Sequence, residues 1–230
     1  SQSEIDMISY KGFNVANVKS TAGDMINDYV KTAGGSRQDR GLGLYYGDHE
    51  IVKFNTAKMT VPFAVSTFTN FYENKNGTKQ EKKSHSLTLS FDGYQTDENL
   101  ESMMCMINSL DEMMIELAVR HSSKWFFAPK SREQIIKMYK PILKPSNNPS
   151  KYAPSIRVKL HCSGPTHATF VNKEGKEDLL FDIMNIKPRS QMECIISLSC
   201  VWVMNDTFGV SLVVSCAKVF DQKEKNPIAF

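Results

Sequence analysis

Several signatures of catalysis and of membrane insertion are missing from this 230-residue sequence. It contains no phosphate-binding loop motif, and the glycines within 41–47 are wrongly spaced for a dinucleotide fingerprint. The alternation of strands and helices that builds a nucleotide-binding domain is also missing. No run of about 18 apolar residues occurs, so the sequence predicts no membrane-spanning helix. These absences argue against nucleotide hydrolysis and against an integral membrane protein.

Cysteine is scarce and shows no pairing pattern. The five cysteines form no C-x-x-C motif and lie in apolar stretches, which is typical of small buried residues in a reducing compartment. His161, Cys162 and His167 cluster, but zinc needs more ligands at regular spacing, and a Cys–His nucleophile needs an orienting group. The N-terminal residues lack the pattern of a secretory signal. We therefore predict no metal site, no cofactor and no catalytic residues.

The net charge of +3 hides a strong segregation of charge along the chain. Residues 92–116 contain seven acids and no Lys or Arg, whereas residues 120–159 contain ten Lys or Arg and one acid, Glu133. Cations neutralise phosphates, and flat rings stack on unpaired bases, so the basic segment is a candidate platform for single-stranded nucleic acid. The aromatic residues interleaved with its cations are Trp125, Phe126, Phe127, Tyr139 and Tyr152.

The clearest helix is predicted from Thr96 to about Ala118, where apolar residues recur at helical spacing. Thr96 is the expected N-cap, and Asp97 suits the positive end of the helix dipole. The acids fall mainly on the opposite face. Asp111 and Glu112 are therefore predicted to be solvated rather than part of a two-metal site.

A second, shorter helix is predicted by the capping-box pattern Ser131–Gln134. It should extend to about Tyr139, because Pro141 cannot continue it. The prolines that follow, as far as Pro154, predict an extended, non-helical segment.

Alternating apolar and polar residues predict several short strands. These are Glu50–Phe54, Thr60–Phe68, Ser86–Phe91, Ile156–Cys162, His167–Val171 and Leu179–Ile183. Between two of them, the polar stretch Glu73–Lys83 contains Asn76-Gly77 and predicts a hairpin tip. The glycine-rich, charged stretch Lys31–Gly43 predicts a mobile loop.

Two long strands, Met192–Trp202 and Val210–Phe220, are predicted to form a hairpin. Every even position of the first is apolar or Cys, so Trp202 is expected to face the core. The predicted fold is mainly β (α+β), an antiparallel barrel with a long amphipathic helix and additional N-terminal strands.

Trp125 has a different setting, because residues 125–127 are three consecutive aromatic rings. An extended chain cannot turn all three rings inward, so at least one should be exposed or lie in a groove. Trp125 or Tyr152 is the candidate ring that stacks on bases, and for Trp125 structural packing is the alternative.

Five stretches follow one another in a distinctive order: Lys124–Phe127, Ser131–Ile136, Tyr139–Pro145, Lys151–Leu160 and Val201–Val210. This order and spacing resembles a family of OB-fold single-stranded-DNA-binding proteins from large nucleocytoplasmic DNA viruses. The resemblance covers about residues 85–220. It implies one OB-like single-stranded-DNA-binding domain over 1–230, in which about 1–84 are an N-terminal elaboration.

The resemblance implies a protein that binds single strands regardless of sequence, performs no catalysis and supports viral DNA replication, recombination or repair. Single-stranded DNA is the implied partner, and RNA and viral replication proteins are further candidates. The implied location is the infected-cell cytoplasm, at the viral replication site, or the virion. The alternative is a viral structural or assembly protein whose basic face binds an acidic partner or packaged genome. An enzyme whose site the sequence does not reveal is a third hypothesis.

The basic segment and the resemblance together define the candidate nucleic-acid contacts. These are Lys124, Trp125, Phe127, Lys130, Arg132, Lys137, Lys140, Lys144, Lys151, Tyr152, Arg157, Lys159 and Trp202. The lysines at 79, 82 and 83 lie in a less basic window and are predicted to contribute less.

Overall fold

A computed structural model describes residues 8–9, 11, 13–20, 26–32, 35–42, 44–46, 50–73, 76–164, 167–172, 174–204 and 206–220, with the backbone alone between 19 and 51. The strands of the N-terminal part are β1 (Ile8–Ser9), β2 (Val18–Ser20), β3 (Ile26–Thr32), β4 (Gly35–Leu42), β5 (Leu44–Tyr46), β6 (Glu50–Ile51), β7 (Lys53–Asn55), β8 (Met59–Thr60), β9 (Ser66–Glu73) and β10 (Lys79–Ser90). The helices are α1 (Glu98–Arg120), α2 (Ser122–Trp125) and α3 (Arg132–Met138), with short 3-10 helices at Val15–Asn17 and Ile183–Asn185. The later strands are β11 (Tyr139–Lys140), β12 (Ser155–Leu160), β13 (Thr169–Val171), β14 (Gln191–Met204) and β15 (Thr207–Phe220).

Strands dominate the described residues, which confirms the prediction of a mainly β fold. The large sheet has the order β1-β7-β14-β8-β10-β12-β15-β11, and β2, β5 and β6 form a small separate sheet. Strands β8, β10, β12, β15 and β14 also pair in a ring, since β14 contacts both β8 and β15. Two links of this ring are single residue pairs, Ser90 with Thr60 and Lys159 with Val213, so the sheet has no clear barrel closure.

The predicted β14–β15 hairpin is confirmed, but the expected inward orientation of Trp202 is wrong. A β-bulge interrupts the pairing register between Leu198 and Cys200. An extra residue moves every following side chain to the other face of the strand. Met192 is therefore buried before the bulge, whereas Val201 is buried after it and Trp202 faces the outer side, half-buried.

Helix α1 confirms the predicted periodicity, with its cap shifted by one residue. The Asp97 carboxylate, not Thr96, accepts hydrogen bonds from the backbone N–H groups of Asn99 at 2.9 Å and Leu100 at 3.4 Å. The Thr96 hydroxyl instead donates to the Gly93 carbonyl at 3.2 Å. A carboxylate at this position is also favoured by the helix dipole.

The capping box of α3 is confirmed. The Ser131 hydroxyl accepts from the Gln134 backbone N–H at 3.3 Å, and the Gln134 side chain accepts from the Ser131 N–H at 2.9 Å. The helix ends at Met138, just before β11 and Pro141, as the missing proline N–H requires.

Two predicted segments differ in the structure. The described part of Lys31–Gly43 is not a loop, because β3 and β4 pair along their lengths and β4 also pairs with β14. Leu179–Ile183 is not a strand: the carboxylate of Asp178 accepts from Leu180 N–H at 3.1 Å, and that of Asp182 accepts from Met184 N–H at 2.9 Å. Such side-chain-to-backbone bonds compete with strand pairing.

The β9–β10 hairpin is longer than predicted. Its register runs from Glu73 opposite Lys79 to Ser66 opposite Ser86. The turn is therefore confined to the residues between 73 and 79, and it contains Gly77 at a φ of 76°. The predicted strand Thr60–Phe68 is broken, because β8 ends at Thr60 and β9 begins at Ser66.

Candidate nucleic-acid interface

An open groove of about 310 Å³ lies on the outer side of β10, β12 and β15, beside β11 and the segment that follows it. It brings together five of the predicted contact residues: Lys140, Lys144, Arg157, Lys159 and Trp202. Among the described residues that line it, none is Asp or Glu. The groove is therefore a concentration of positive charge without local compensation.

The cations of β12 are a consequence of strand alternation. Ile156 and Val158 are buried, so Arg157 and Lys159 point outward. Arg157 donates to the Ser86 hydroxyl from Nε at 3.1 Å and from Nη2 at 2.8 Å. The Lys159 ammonium donates to the hydroxyl of Ser211 at 3.0 Å. Neutral hydroxyls thus orient both cations and leave their charge available to an anion.

The other wall of the groove is the segment 139–144, and hydrogen bonds to helix α1 hold it in place. The buried Asp111 carboxylate accepts from the Tyr139 hydroxyl at 2.6 Å and from the backbone N–H groups of Ile142 at 2.7 Å and Leu143 at 3.0 Å. The Lys144 backbone then pairs in both directions with Ser155. These bonds fix the short segment that carries Lys140 and Lys144.

Asp111 is a correction to the predicted solvated acidic face, since it is only 8% exposed. Burial raises the pKa of Asp111, and the hydrogen bonds from Tyr139, Ile142 and Leu143 offset part of that rise. Burial, followed by the charge of Asp111, likewise raises the pKa of Tyr139. The pair anchors the groove wall and does not face the groove.

Trp202 lies across β15 at Gly209, the residue opposite it in the β14–β15 pairing. A Cβ atom on Gly209 would lie 2.7 Å from Trp202 Cζ2 and 3.2 Å from the Lys140 carbonyl oxygen. Only glycine leaves room for the indole at this position. Trp202 on β14, Gly209 on β15 and the backbone of Lys140 on β11 therefore lie side by side.

The pKa of His161, which lines the groove, is affected by the positive charges around it. Burial, and then the positive charges of Lys159 and Lys82, lower the pKa of His161. The local field therefore disfavours an additional cation. A phosphate would be favoured in the same place.

Trp125 is fully buried, with 0% of its surface exposed, so it offers no ring face to a base in this structure. Its ring centroid lies 6.2 Å from that of Phe208 and 6.2 Å from that of Phe126, and both contacts are edge-to-face. The chain at 122–125 is the short helix α2, not an extended segment, and this turns the ring into the core. Our interpretation of Trp125 as the stacking ring is therefore wrong.

Seven further predicted contacts lie outside the groove lining. Arg132 pairs with Glu112 at 2.7 Å and with Glu116, so carboxylates of α1 neutralise its charge. Lys151 Nζ lies 5.2 Å from the centroid of the Tyr152 ring, on an exposed loop. Phe127 is 69% exposed. The remaining three are Lys124, Lys130 and Lys137.

Sequence reasoning missed the contribution of β9 and β10 to the groove. The residues concerned are Phe68, Ser84, His85 and Ser86. The alternation of Ser84, Ser86 and Thr88 with buried Leu87 and Leu89 does predict an outward polar face. The pairing of Ser86 with Lys159, 73 residues away, has no local signal in the sequence.

No cluster of three or more His, Cys, Asp or Glu suited to a metal ion occurs in the described part of the chain. His161 and Cys162 are therefore not joined by further ligands within that part. Among the described helices, none has the length and apolar character needed to cross a membrane.

No protein-family model and no curated protein matches the chain. Among solved structures, the chain is similar to gp2.5, a single-stranded DNA binding protein encoded by bacteriophage T7, with a TM-score of 0.48 and 15% identity over 77% of this chain and 91% of that chain. It is also similar to the single-stranded DNA-binding protein of bacteriophage Enc34 in complex with ssDNA, with a TM-score of 0.45 and 12% identity over 81% and 93% of the two chains.

Proposed function

We propose that the groove binds single-stranded DNA regardless of sequence and performs no catalysis. The observation that supports this is the composition of the groove: four cations, Lys140, Lys144, Arg157 and Lys159, line it together with the half-buried Trp202, and none of the described residues that line it is Asp or Glu. Backbone phosphates would occupy the positions between the cations. The Trp202 ring would stack on a base, a contact that any base can make.

Single strands suit this arrangement better than duplex, because only an unpaired base can place its face on Trp202. In a duplex the bases are stacked on one another, so their faces are covered and only phosphates, sugars and base edges remain accessible. Hydroxyl groups hold the side chains of Arg157 and Lys159, and strand pairing fixes the backbone of Lys140 and Lys144. Little ordering of the protein is therefore needed when a strand binds, which favours affinity.

We further propose that the chain is a single OB-like domain of the family that its sequence resembles, nearest to the African swine fever virus member. The ring of pairings among β8, β10, β12, β15 and β14 supports a partly open barrel. The five groove contacts predicted from sequence all fall in the stretches that carry the resemblance. The proposed role is in viral DNA replication, recombination or repair in the infected-cell cytoplasm.

The test is a titration of labelled oligo-dT and of a duplex of equal length at several salt concentrations, followed by fluorescence anisotropy. Four neutralised phosphates at about 0.7 each predict a log–log salt slope of about −3 for the single strand. The duplex should bind much more weakly. A flat salt response, or equal affinity for both nucleic acids, would contradict the proposal and favour a structural or assembly protein with a basic face.

A matched pair of variants locates the site within the same assay. Arg157→Glu with Lys159→Glu reverses two groove cations, whereas Lys124→Glu with Lys137→Glu reverses two exposed cations outside the groove lining. We expect the first pair to abolish measurable binding at moderate salt and the second to change affinity little. Equal losses would mean that the net charge of the protein, not the groove, attracts the strand.

A further inference from the structure

The β9–β10 hairpin extends the groove beyond the body of the sheet. Of the described strands, β12 pairs with β10 only from His85 to Ser90. Residues 68–73 and 79–84 therefore form a two-stranded ribbon, which we call the arm. Its base contributes Phe68 and Ser84 to the groove lining, so the arm is continuous with the candidate site.

Cross-strand register assigns each residue of the arm to one of two faces. Phe68 lies opposite Ser84, and Asn70 lies opposite Lys82. Because these positions of β10 have the parity of Ser86, which pairs with Lys159, they share the groove face. Lys82 also contributes to the lowered pKa of His161, which lines the groove.

The opposite face of the arm has a similar composition but points away from the groove. Phe71 lies opposite Glu81, and Thr69 lies opposite Lys83. Phe71 is 73% exposed, compared with 63% for Phe68. Lys83 Nζ lies 3.1 Å from the carboxylate of Glu81, so part of its charge is already neutralised. The two faces are therefore natural controls for each other.

We propose that the groove face of the arm is a second contact surface for single-stranded nucleic acid, where Phe68 stacks on a base and Lys82 binds a phosphate. This inference rests on the proposed function of the groove. Strands β9, β10, β12, β15 and β14 follow one another in the sheet, and Phe68 on the first and Trp202 on the last both line the groove. A bound strand would cross the sheet between the two rings and pass over Lys159 and Arg157.

The proposal revises the expectation that the lysines at 79, 82 and 83 contribute less to binding, because it makes Lys82 a phosphate contact. The charge of a window does not show which face of a ribbon each residue occupies. The pairing register shows which face each residue occupies, because neighbouring residues of a strand point in opposite directions. Lys82 and Lys83 are thus separated by orientation although they are adjacent in sequence.

The experiment compares Phe68→Ala with Phe71→Ala in binding to an oligo-dT of about 16 nucleotides, the upper site size for one such domain. We expect Phe68→Ala to weaken binding by about five-fold or more, as loss of one stacked base predicts. Phe71→Ala should remain within about two-fold of the wild type, since surface substitutions away from a site have small effects. Both residues are exposed, and unchanged melting temperatures confirm that both variants fold.

Lys82 and Lys83 give an independent test of which face of the arm contacts the strand. Lys82→Ala should reduce the magnitude of the log–log salt slope by about 0.7, whereas Lys83→Ala should leave it unchanged. Equal losses for both members of each pair, or no loss for either, would overturn the assignment of the groove face. If none of these variants loses affinity but the Arg157→Glu, Lys159→Glu variant does, the proposed function of the groove remains intact. Failure of the wild type to bind oligo-dT would remove both.

Discussion

The two tryptophans of this chain contact consecutive residues of strand β15 but lie on opposite faces of it. Trp125 packs on the ring of Phe208 inside the core, whereas Trp202 lies across Gly209 on the outer face. Phe208 and Gly209 are consecutive in β15, so strand alternation alone separates the two environments. The same residue type is therefore a core residue in one place and a candidate ligand-binding ring in the other.

The cations show the same contrast. Arg132 is held by the carboxylates of Glu112 and Glu116, whereas Arg157 is held by the hydroxyl of Ser86. A carboxylate partner cancels the charge, while a hydroxyl orients the side chain and leaves it cationic. The density of Lys and Arg along the sequence does not distinguish these cases. The hydrogen-bond partner does.

The largest expected effect is the loss of stability in Trp125→Ala. Truncation of a fully buried indole should cost about 3–5 kcal/mol of unfolding free energy. The exposed neighbour provides the control, because Phe127→Ala should cost less than about 0.5 kcal/mol. Denaturant unfolding of both variants makes the measurement. Unchanged stability of Trp125→Ala, combined with lost DNA binding, would reverse our comparison of the two tryptophans.

Trp202→Ala should act mainly on binding. Loss of one stacked base is worth about 1–3 kcal/mol, or about a five- to 150-fold weaker affinity for oligo-dT. Mixed-sequence oligonucleotides should be affected equally, since every base has a π-face. Trp202→Phe keeps an aromatic face and should recover part of the affinity. If the alanine variant unfolds more easily than Trp125→Ala and binds DNA normally, Trp202 belongs to the core after all.

Local patterns were sufficient to predict much of the fold. The apolar periodicity of α1, the Ser131 capping box and the long β14–β15 hairpin all follow from residues near one another in sequence. Four of the groove cations were also among the predicted contacts. For the helix, the capping box and the hairpin the deciding interactions are short-range, so the sequence carries them directly; the groove cations were predicted from their density in the sequence, not from the pairing that brings them together.

The remaining features depend on interactions between distant residues. The bulge after Leu198 changes the facing of Trp202, and no local pattern shows an extra residue in a strand. Asp111 is an acid among other acids in sequence, but the N–H groups of Ile142 and Leu143 draw it into the core. Burial of a carboxylate requires such donors. They lie 31 and 32 residues away and could not be assigned in advance.

The smallest expected effect is that of Gly209→Ala, at the residue that packs against the Trp202 indole. In Gly209→Ala the new Cβ would lie 2.7 Å from Trp202 Cζ2 and 3.1 Å from Cε2, so the indole must shift. The backbone oxygen of Lys140 would lie 3.2 Å from the same Cβ, a second close contact that has to give way. We expect a loss of oligo-dT affinity that is smaller than in Trp202→Ala, because the ring is displaced and not removed. A double-mutant cycle gives the decisive comparison: with Trp202 already replaced by Ala, Gly209→Ala should weaken binding no further. Additive losses would show that Gly209 acts through the backbone of β15 and not through the position of the ring.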